Sequence, residues 1–226
     1  EAIGAKNAVA FDLSAACSGF LFALSTAQAY IKGGIYQKAL IIGAETMSKM
    51  IDWSDRSTCV LFGDGAGAAV VSAEETGVLE LVQKSNGAGK GVLSCKARET
   101  RNLLNHESET KEYLYMEGQP VFKFAVKTVP ECVEEVLKKA EVKKEEIRYY
   151  ILHQANSRII QSVAKRLKEP EEKFPMNLSL YGNTSAASIP ILLDEMNRNG
   201  MLNRGDKLVL SGFGAGLTWG AVLLEW

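Results

Sequence analysis

Phe11-Asp12-Leu13-Ser14 opens a pattern that the chain states twice. After it come a loop of small residues, an apolar series at helical spacing (Phe20, Leu21, Leu24, Ala27, Ile31), the break Gly33-Gly34 and the apolar run Leu40-Ile41-Ile42-Gly43. Met176-Asn177-Leu178-Ser179 opens the second copy: a small-residue loop, a helical pattern from Ser185 to Asn199, Gly200, and Leu208-Val209-Leu210-Ser211. The opening anchors lie 165 positions apart (12 to 177) and the closing ones 168 (40 to 208). A strand–helix–strand unit repeated at near-constant spacing predicts an α/β protein of two similar halves. Glu74-Glu75-Thr76-Gly77 marks the boundary, giving halves at 1–76 and 77–226. The second unit has a long lead within its own half and the first has almost none. The expectation is that about 90 residues of the first half lie ahead of Glu1, and that a chain begun there would expose core and fail to fold and work alone.

Working outward, Ala8 to Leu13 reads as a buried strand, Lys38 to Gly43 as a second and Ala69 to Ser72 as a third. Val78 to Val82 is strand-like, and residues 86–112 read as an excursion or long hairpin that includes His106, a solvated histidine. Pro120 suits the first turn of a helix running to about Ala140, with a break or kink near Pro130. Tyr149 to Leu152 is a strand, and Ser157 to Leu167 a helix with Ile159, Ile160, Val163 and Leu167 inward. Lys207 to Leu210 and Leu217 to Leu224 are strands around a glycine-rich turn.

The composition excludes several roles. With 26 Lys plus Arg against 27 Asp plus Glu, the net charge of -1 argues against a protein built to grip nucleic acid or an anionic membrane. No apolar run approaches the roughly 20 residues of a membrane span, and the start lacks the plan of a signal peptide. Four cysteines without metal-type spacing read as reduced thiols of a cytoplasmic protein.

Among these, Cys17 stands where a strand yields to a helix. A thiol there meets free N–H groups and the positive end of the dipole, which favour thiolate; a cysteine buried in a tight turn is the alternative. His153 ends a strand, where α/β proteins place ligands; a hydrogen-bonded structural histidine is the alternative. Asn183 can cap a helix or direct its amide at a developing oxyanion. The glycines of Gly212-Phe213-Gly214-Ala215-Gly216 allow backbone N–H groups close to a ligand, without the strand-then-helix context of a nucleotide fingerprint. Arg158, Ser162, Lys165 and Arg166 share a helix face that is either solvated or a dock for an acidic partner.

Five blocks follow in order: Asp12 to Phe20, Phe62 to Ala68, His153 to Asn156, Gly182 to Ser188 and Gly212 to Gly220. Together they resemble the β-ketoacyl-acyl-carrier-protein synthases III, the initiating condensing enzymes of fatty acid synthesis. The resemblance implies a thiolase-like five-layer αβαβα fold of two similar halves, the first incomplete here. It implies a cytoplasmic homodimer with no cofactor, a coenzyme A thioester being substrate, and an acyl carrier protein as partner. It implies Cys17, His153 and Asn183 as catalytic residues and the N–H groups of Cys17 and Ala215 as an oxyanion hole, with Ala215 standing where many members have glycine. Arg56, Asn156 and Phe213 would bind substrate; Lys123, Arg158, Lys165 and Arg166 would dock the carrier protein. Elongating synthases typically use two histidines in place of the histidine and asparagine. The rival expectations are a polyketide-type condensing enzyme with another starter and a non-catalytic fragment that binds carrier protein.

Overall fold

The computed structural model describes residues 2–95 and 113–226. Residues 96–112 of the predicted excursion, His106 among them, lie outside the described residues; β4 (Leu93–Cys95), within it, pairs antiparallel with β5 (Leu114–Met116), just past it.

A four-stranded sheet forms the centre, in the order β3 (Val78–Ser85), β8 (Thr218–Glu225), β7 (Lys207–Gly214), β6 (Ile147–Leu152). β6 runs parallel to β7, and the other neighbours are antiparallel. Tyr150 to Leu152 of β6 and Leu208 to Gly214 of β7 are buried, while Arg148 near the start of β6 is exposed. One face is covered by α2 (Gly118–Lys139) and α3 (Ser157–Leu167), which bury Val129, Val133, Val136, Ile160 and Val163 against Val209 and Leu223. α2 starts before Pro120 and continues through Pro130 as one helix.

The other face is covered by α1 (Gly19–Lys32) and α5 (Ser188–Arg198), with Leu21, Leu24, Ile189 and Leu192 on Ile151, Leu210 and Val222. Beyond them lies the antiparallel pair β1 (Lys38–Glu45) and β2 (Gly65–Ser72). Ile41 and Gly43 point inward, while Leu40, Ile42 and Val70 alternate outward and are exposed. The described residues thus build four layers, αβαβ.

Two expectations change. Ala8 to Leu13 is not a strand: residues 2–14 are exposed and join no sheet among the described residues. Its apolar content is strand-like, but a ladder also needs a neighbour. The glycine-rich stretch is not all turn, since Gly212, Phe213 and Gly214 belong to β7 and only residues 215–217 connect to β8.

The internal repeat is plainest in the backbone. Ala16–Ser18 and Ser185–Ala187 are each a single 3₁₀ turn leading directly into a helix. Each turn opens on a non-glycine residue at positive φ, Ala16 at 47° and Ser185 at 51°. Each helix is followed by an eight-residue strand, β1 or β7, whose last residue pairs with the first of the next strand (Glu45 with Gly65, Gly214 with Thr218). The opening anchors differ: Leu178–Tyr181 is a short helix, α4, where Ala8 to Leu13 is irregular.

Candidate active site

The two turns back onto each other at the centre of the molecule, so close that a Cβ on Gly19 would lie 3.4 Å from that of Ala186. Cys17 is buried in the first turn, under the end of β7. A hydroxyl network rivets it there. Ser18 Oγ donates to Ala15 O (2.7 Å) and lies 2.7 Å from Thr218 Oγ1, which is also 3.1 Å from Ala215 O and 3.2 Å from Ala15 O. The network clamps the Cys17 turn to the β7–β8 turn. Neither the Cys17 nor the Ala215 N–H has a backbone acceptor among the described residues.

His153 follows β6 and is buried. Its backbone N–H donates to Ser211 O (2.8 Å), its ring meets Phe213 edge to face at 5.6 Å, and its Nδ1 lies 2.7 Å from Ser188 Oγ. Asn183 sits in a bridge with Phe62: its N–H donates to Leu61 O (2.8 Å) and its carbonyl accepts from Gly63 N–H (3.0 Å). Gly63 is required there, because a Cβ would stand 2.0 Å from Tyr181 O. The Asn183 side-chain Oδ1 accepts from the Ser185 N–H (2.9 Å), which leaves its NH₂ to face elsewhere.

Cys17, His153, Asn183, Asn156, Phe213 and Ala215 line one open cavity of about 1440 Å³, which continues over Phe11, Leu40 and Ile42. Burial controls both titratable groups. It pushes the Cys17 thiol up to about 11, with the Glu45 carboxylate adding to the rise and a hydrogen bond from Ser185 opposing it. Burial thus acts against the thiolate that a helix N-terminus favours. Burial alone lowers His153 to about 4, so the imidazole is neutral at neutral pH.

The remaining predicted residues are dispersed. Asn156 caps α3, its side chain accepting from Arg158 N–H (2.9 Å), and also lines the cavity. Arg56 is exposed in the polar loop after β1 and is not among the cavity residues. Lys123 on α2 and Arg158 and Lys165 on α3 are exposed. Arg166 is also exposed, but its guanidinium donates to Val126 O (3.2 Å) and pairs with Glu131 (3.7 Å), fastening α3 to α2. Sequence reasoning missed Ser18, Thr218, Ser185 and Ser188, common residue types whose partners are mostly remote in the chain.

The comparisons with known proteins converge on these same segments. Residues 11–87 match the family 3-oxoacyl-[acyl-carrier-protein] synthase III, and residues 137–226 match the C-terminal region of 3-oxoacyl-[acyl-carrier-protein] synthase III. The chain belongs to the β-ketoacyl-[acyl-carrier-protein] synthase III family. The family member from Clostridium novyi is 52% identical over 100% of this chain and 70% of its own length. One from Clostridium botulinum is 51% identical over 99% and 70%. The crystal structure of the Aquifex aeolicus enzyme superposes with a TM-score of 0.90 at 46% identity, covering 100% of this chain and 70% of that one. The priming β-ketosynthase of the R1128 polyketide pathway gives 0.89 at 37%, covering 99% and 67%. The fold is thus thiolase-like, and the chain is an acyltransferase of the condensing type that initiates fatty acid synthesis.

Proposed function

We propose that the cavity carries out a decarboxylative Claisen condensation of a short acyl-coenzyme A with malonyl-acyl carrier protein, with Cys17 as nucleophile and His153 and Asn183 as oxyanion donors. The observation that carries this is the convergence of these three side chains on one cavity, each donor tied back by its other end. In the first half-reaction Cys17 Sγ attacks the thioester carbonyl. The tetrahedral oxyanion is held by the Cys17 and Ala215 N–H groups. The coenzyme A sulfur leaves and takes up the proton that Cys17 gives away. A thiol whose pKa is raised this far loses its proton only as the carbon–sulfur bond forms.

In the second half-reaction the malonyl carboxylate leaves as carbon dioxide, and its bonding electrons become an enolate. His153 and Asn183 supply N–H donors to the enolate oxygen, in a site dry enough to strengthen both. The enolate carbon attacks the acyl-Cys17 carbonyl, the Cys17 thiolate leaves and takes up a proton from solvent, and 3-oxoacyl-acyl carrier protein is released. Balance requires no metal and no redox cofactor. Arg56, Asn156 and Phe213 serve coenzyme A and its pantetheine, while Lys123, Arg158 and Lys165 present positive charge to the acidic carrier protein, with Arg166 at the edge. The working form is a cytoplasmic homodimer.

Intact-protein mass after exposure to acetyl-coenzyme A tests the assignment. One acyl adduct is expected, absent in Cys17→Ser; an adduct on Cys59, Cys95 or Cys132 instead would sink it. Release of labelled carbon dioxide from malonyl-acyl carrier protein should fall by about 10²-fold or more in His153→Ala and in Asn183→Ala. Unchanged release in both removes them from the mechanism. The structural likeness to a polyketide priming ketosynthase leaves a second starter-unit reading, decided by which acyl-coenzyme A labels Cys17.

A further inference from the structure

We propose that Ser188 is a positioning residue for His153: its hydroxyl donates to Nδ1 and holds the buried imidazole in the tautomer that carries its proton on Nε2. The assignment rests on the reading of His153 as an N–H donor, and it follows from counting hydrogens around one oxygen. Ser188 is the first residue of α5 and is 2% exposed. Its Oγ has two contacts among the described residues: the Gln154 backbone N–H, at 3.3 Å, and His153 Nδ1, at 2.7 Å. The Gln154 N–H can only donate, so it takes one lone pair of Oγ. The hydroxyl hydrogen then needs an acceptor, and Nδ1 is the one within reach.

Were Nδ1 protonated instead, Oγ would accept from two donors and its own hydrogen would be orphaned in a dry interior. The alternative therefore leaves a buried donor unmade, and the Nε2–H tautomer leaves none. The imidazole is neutral for a separate reason, its burial. A neutral imidazole donates from one nitrogen only, so the occupant of Nδ1 decides what Nε2 can do. With Nδ1 held by Ser188, Nε2–H is the donor left for the cavity that His153 lines. It also means that His153 is not poised at Nε2 to take the Cys17 proton, in keeping with that proton passing to the departing coenzyme A sulfur.

The segment that carries Ser188 does the same for the second donor. The Ser185 N–H occupies Asn183 Oδ1 and so turns the amide NH₂ outward. Residues 183–188 thereby orient both donors, one through a backbone N–H and one through a side-chain hydroxyl.

Imidazole ¹⁵N spectra of histidine-labelled protein test this. The chain has two histidines, so His106→Gln isolates the His153 signals. The parent should show Nε2 protonated and Nδ1 as a hydrogen-bonded acceptor at neutral pH. A protonated Nδ1 in the parent overturns the proposal without any variant. Ser188→Ala should release the ring into a mixture of tautomers and lower carbon dioxide release by about ten-fold, below the 10²–10³-fold of a donor lost outright. Transfer from acetyl-coenzyme A to Cys17 should fall much less, and Ser188→Thr, which keeps the hydroxyl, should restore the parent spectrum. A Ser188→Ala spectrum identical to the parent, or equal losses in both half-reactions, overturns the proposal. Unchanged carbon dioxide release in His153→Ala, with the parent tautomer as stated, would instead overturn the functional reading and leave the tautomer assignment standing.

Discussion

Gly214→Ala should disable the first half-reaction, while Gly212→Ala, two residues back on the same face of β7, should not. A Cβ at 214 would stand 2.7 Å from Cys17 N, 3.2 Å from Cys17 Cβ and 3.3 Å from Ala16 Cβ. Ordinary contact begins near 3.4 Å, so the nucleophile's turn must retreat by about 0.7 Å (3.4 minus 2.7). A hydrogen bond of about 2.9 Å from that N–H to a thioester oxygen would stretch to about 3.6 Å, beyond useful length. Loss of one oxyanion donor costs about 10²–10³-fold in rate, or about 3–4 kcal/mol. The steric push should also destabilise the fold by about 1–3 kcal/mol. A Cβ at 212 meets His153 Cβ at 3.4 Å and Ile189 and Leu21 at 3.6 Å, all ordinary contacts. Neither glycine has a positive φ, so alanine's own backbone preference is not at issue. Quenched-flow mass spectrometry of acyl-Cys17 formation gives the rate, and thermal denaturation checks the fold. Parent-like acylation in Gly214→Ala, or equal loss in Gly212→Ala, would refute the account of how the Cys17 N–H is seated.

His153 should make the fold acid-sensitive. Its pKa is about 4 when folded against an ordinary 6.5, so the unfolded chain binds the extra proton first, and stability present above 6.5 is lost as pH falls toward 4. Between pH 7 and 5 that loss is about 2 kcal/mol; urea unfolding should show a correspondingly smaller loss in His153→Asn, and equal losses would contradict burial as the cause. Arg158→Glu should weaken condensation with malonyl-acyl carrier protein, increasingly so at low salt, with little change in acylation by acetyl-coenzyme A. Specificity constants for each half-reaction at two salt concentrations measure this, and equal losses in both would place Arg158 in the shared path instead.

What could be read in advance followed periodicity. α3 lies at the residues its apolar stripe marks, because burying Ile159, Ile160, Val163 and Leu167 on one side leaves a helix no other register. β1 and β6 were legible as apolar runs too short for a helix, and Cys17, His153 and Asn183 stood out as candidates by their place at the ends of predicted elements. Ala8 to Leu13 misled because pattern reports what a segment could pair with, not what lies beside it. The glycines of β2 and β7 misled in the other direction. Glycine is a poor strand former, yet Gly67 and Gly214 sit in strands because α5 and the Cys17 turn leave no space for a Cβ. Ser18 and Thr218 are 200 residues apart, and no local signal joins them. The thiol's raised pKa was equally hidden, since the depth of a site is a property of the assembled layers.

The paired turns leave the molecule with two sockets and one tenant. At Cys17 the strand end that faces the turn is Gly214, bare, and the backbone N–H is left to whatever enters. Ala186 holds the same place in the second turn, and there the facing strand end is Glu45, whose carboxylate accepts the Ala186 N–H at 3.4 Å. One socket is open and the other is stoppered by a side chain of its own duplicate. The stopper occupies the Ala186 N–H, and its negative charge adds to the rise that burial already imposes on the neighbouring thiol. Asymmetry of function in a symmetric scaffold thus comes down to a handful of positions, with Cys17 against Ala186 and Gly214 against Glu45 at its centre.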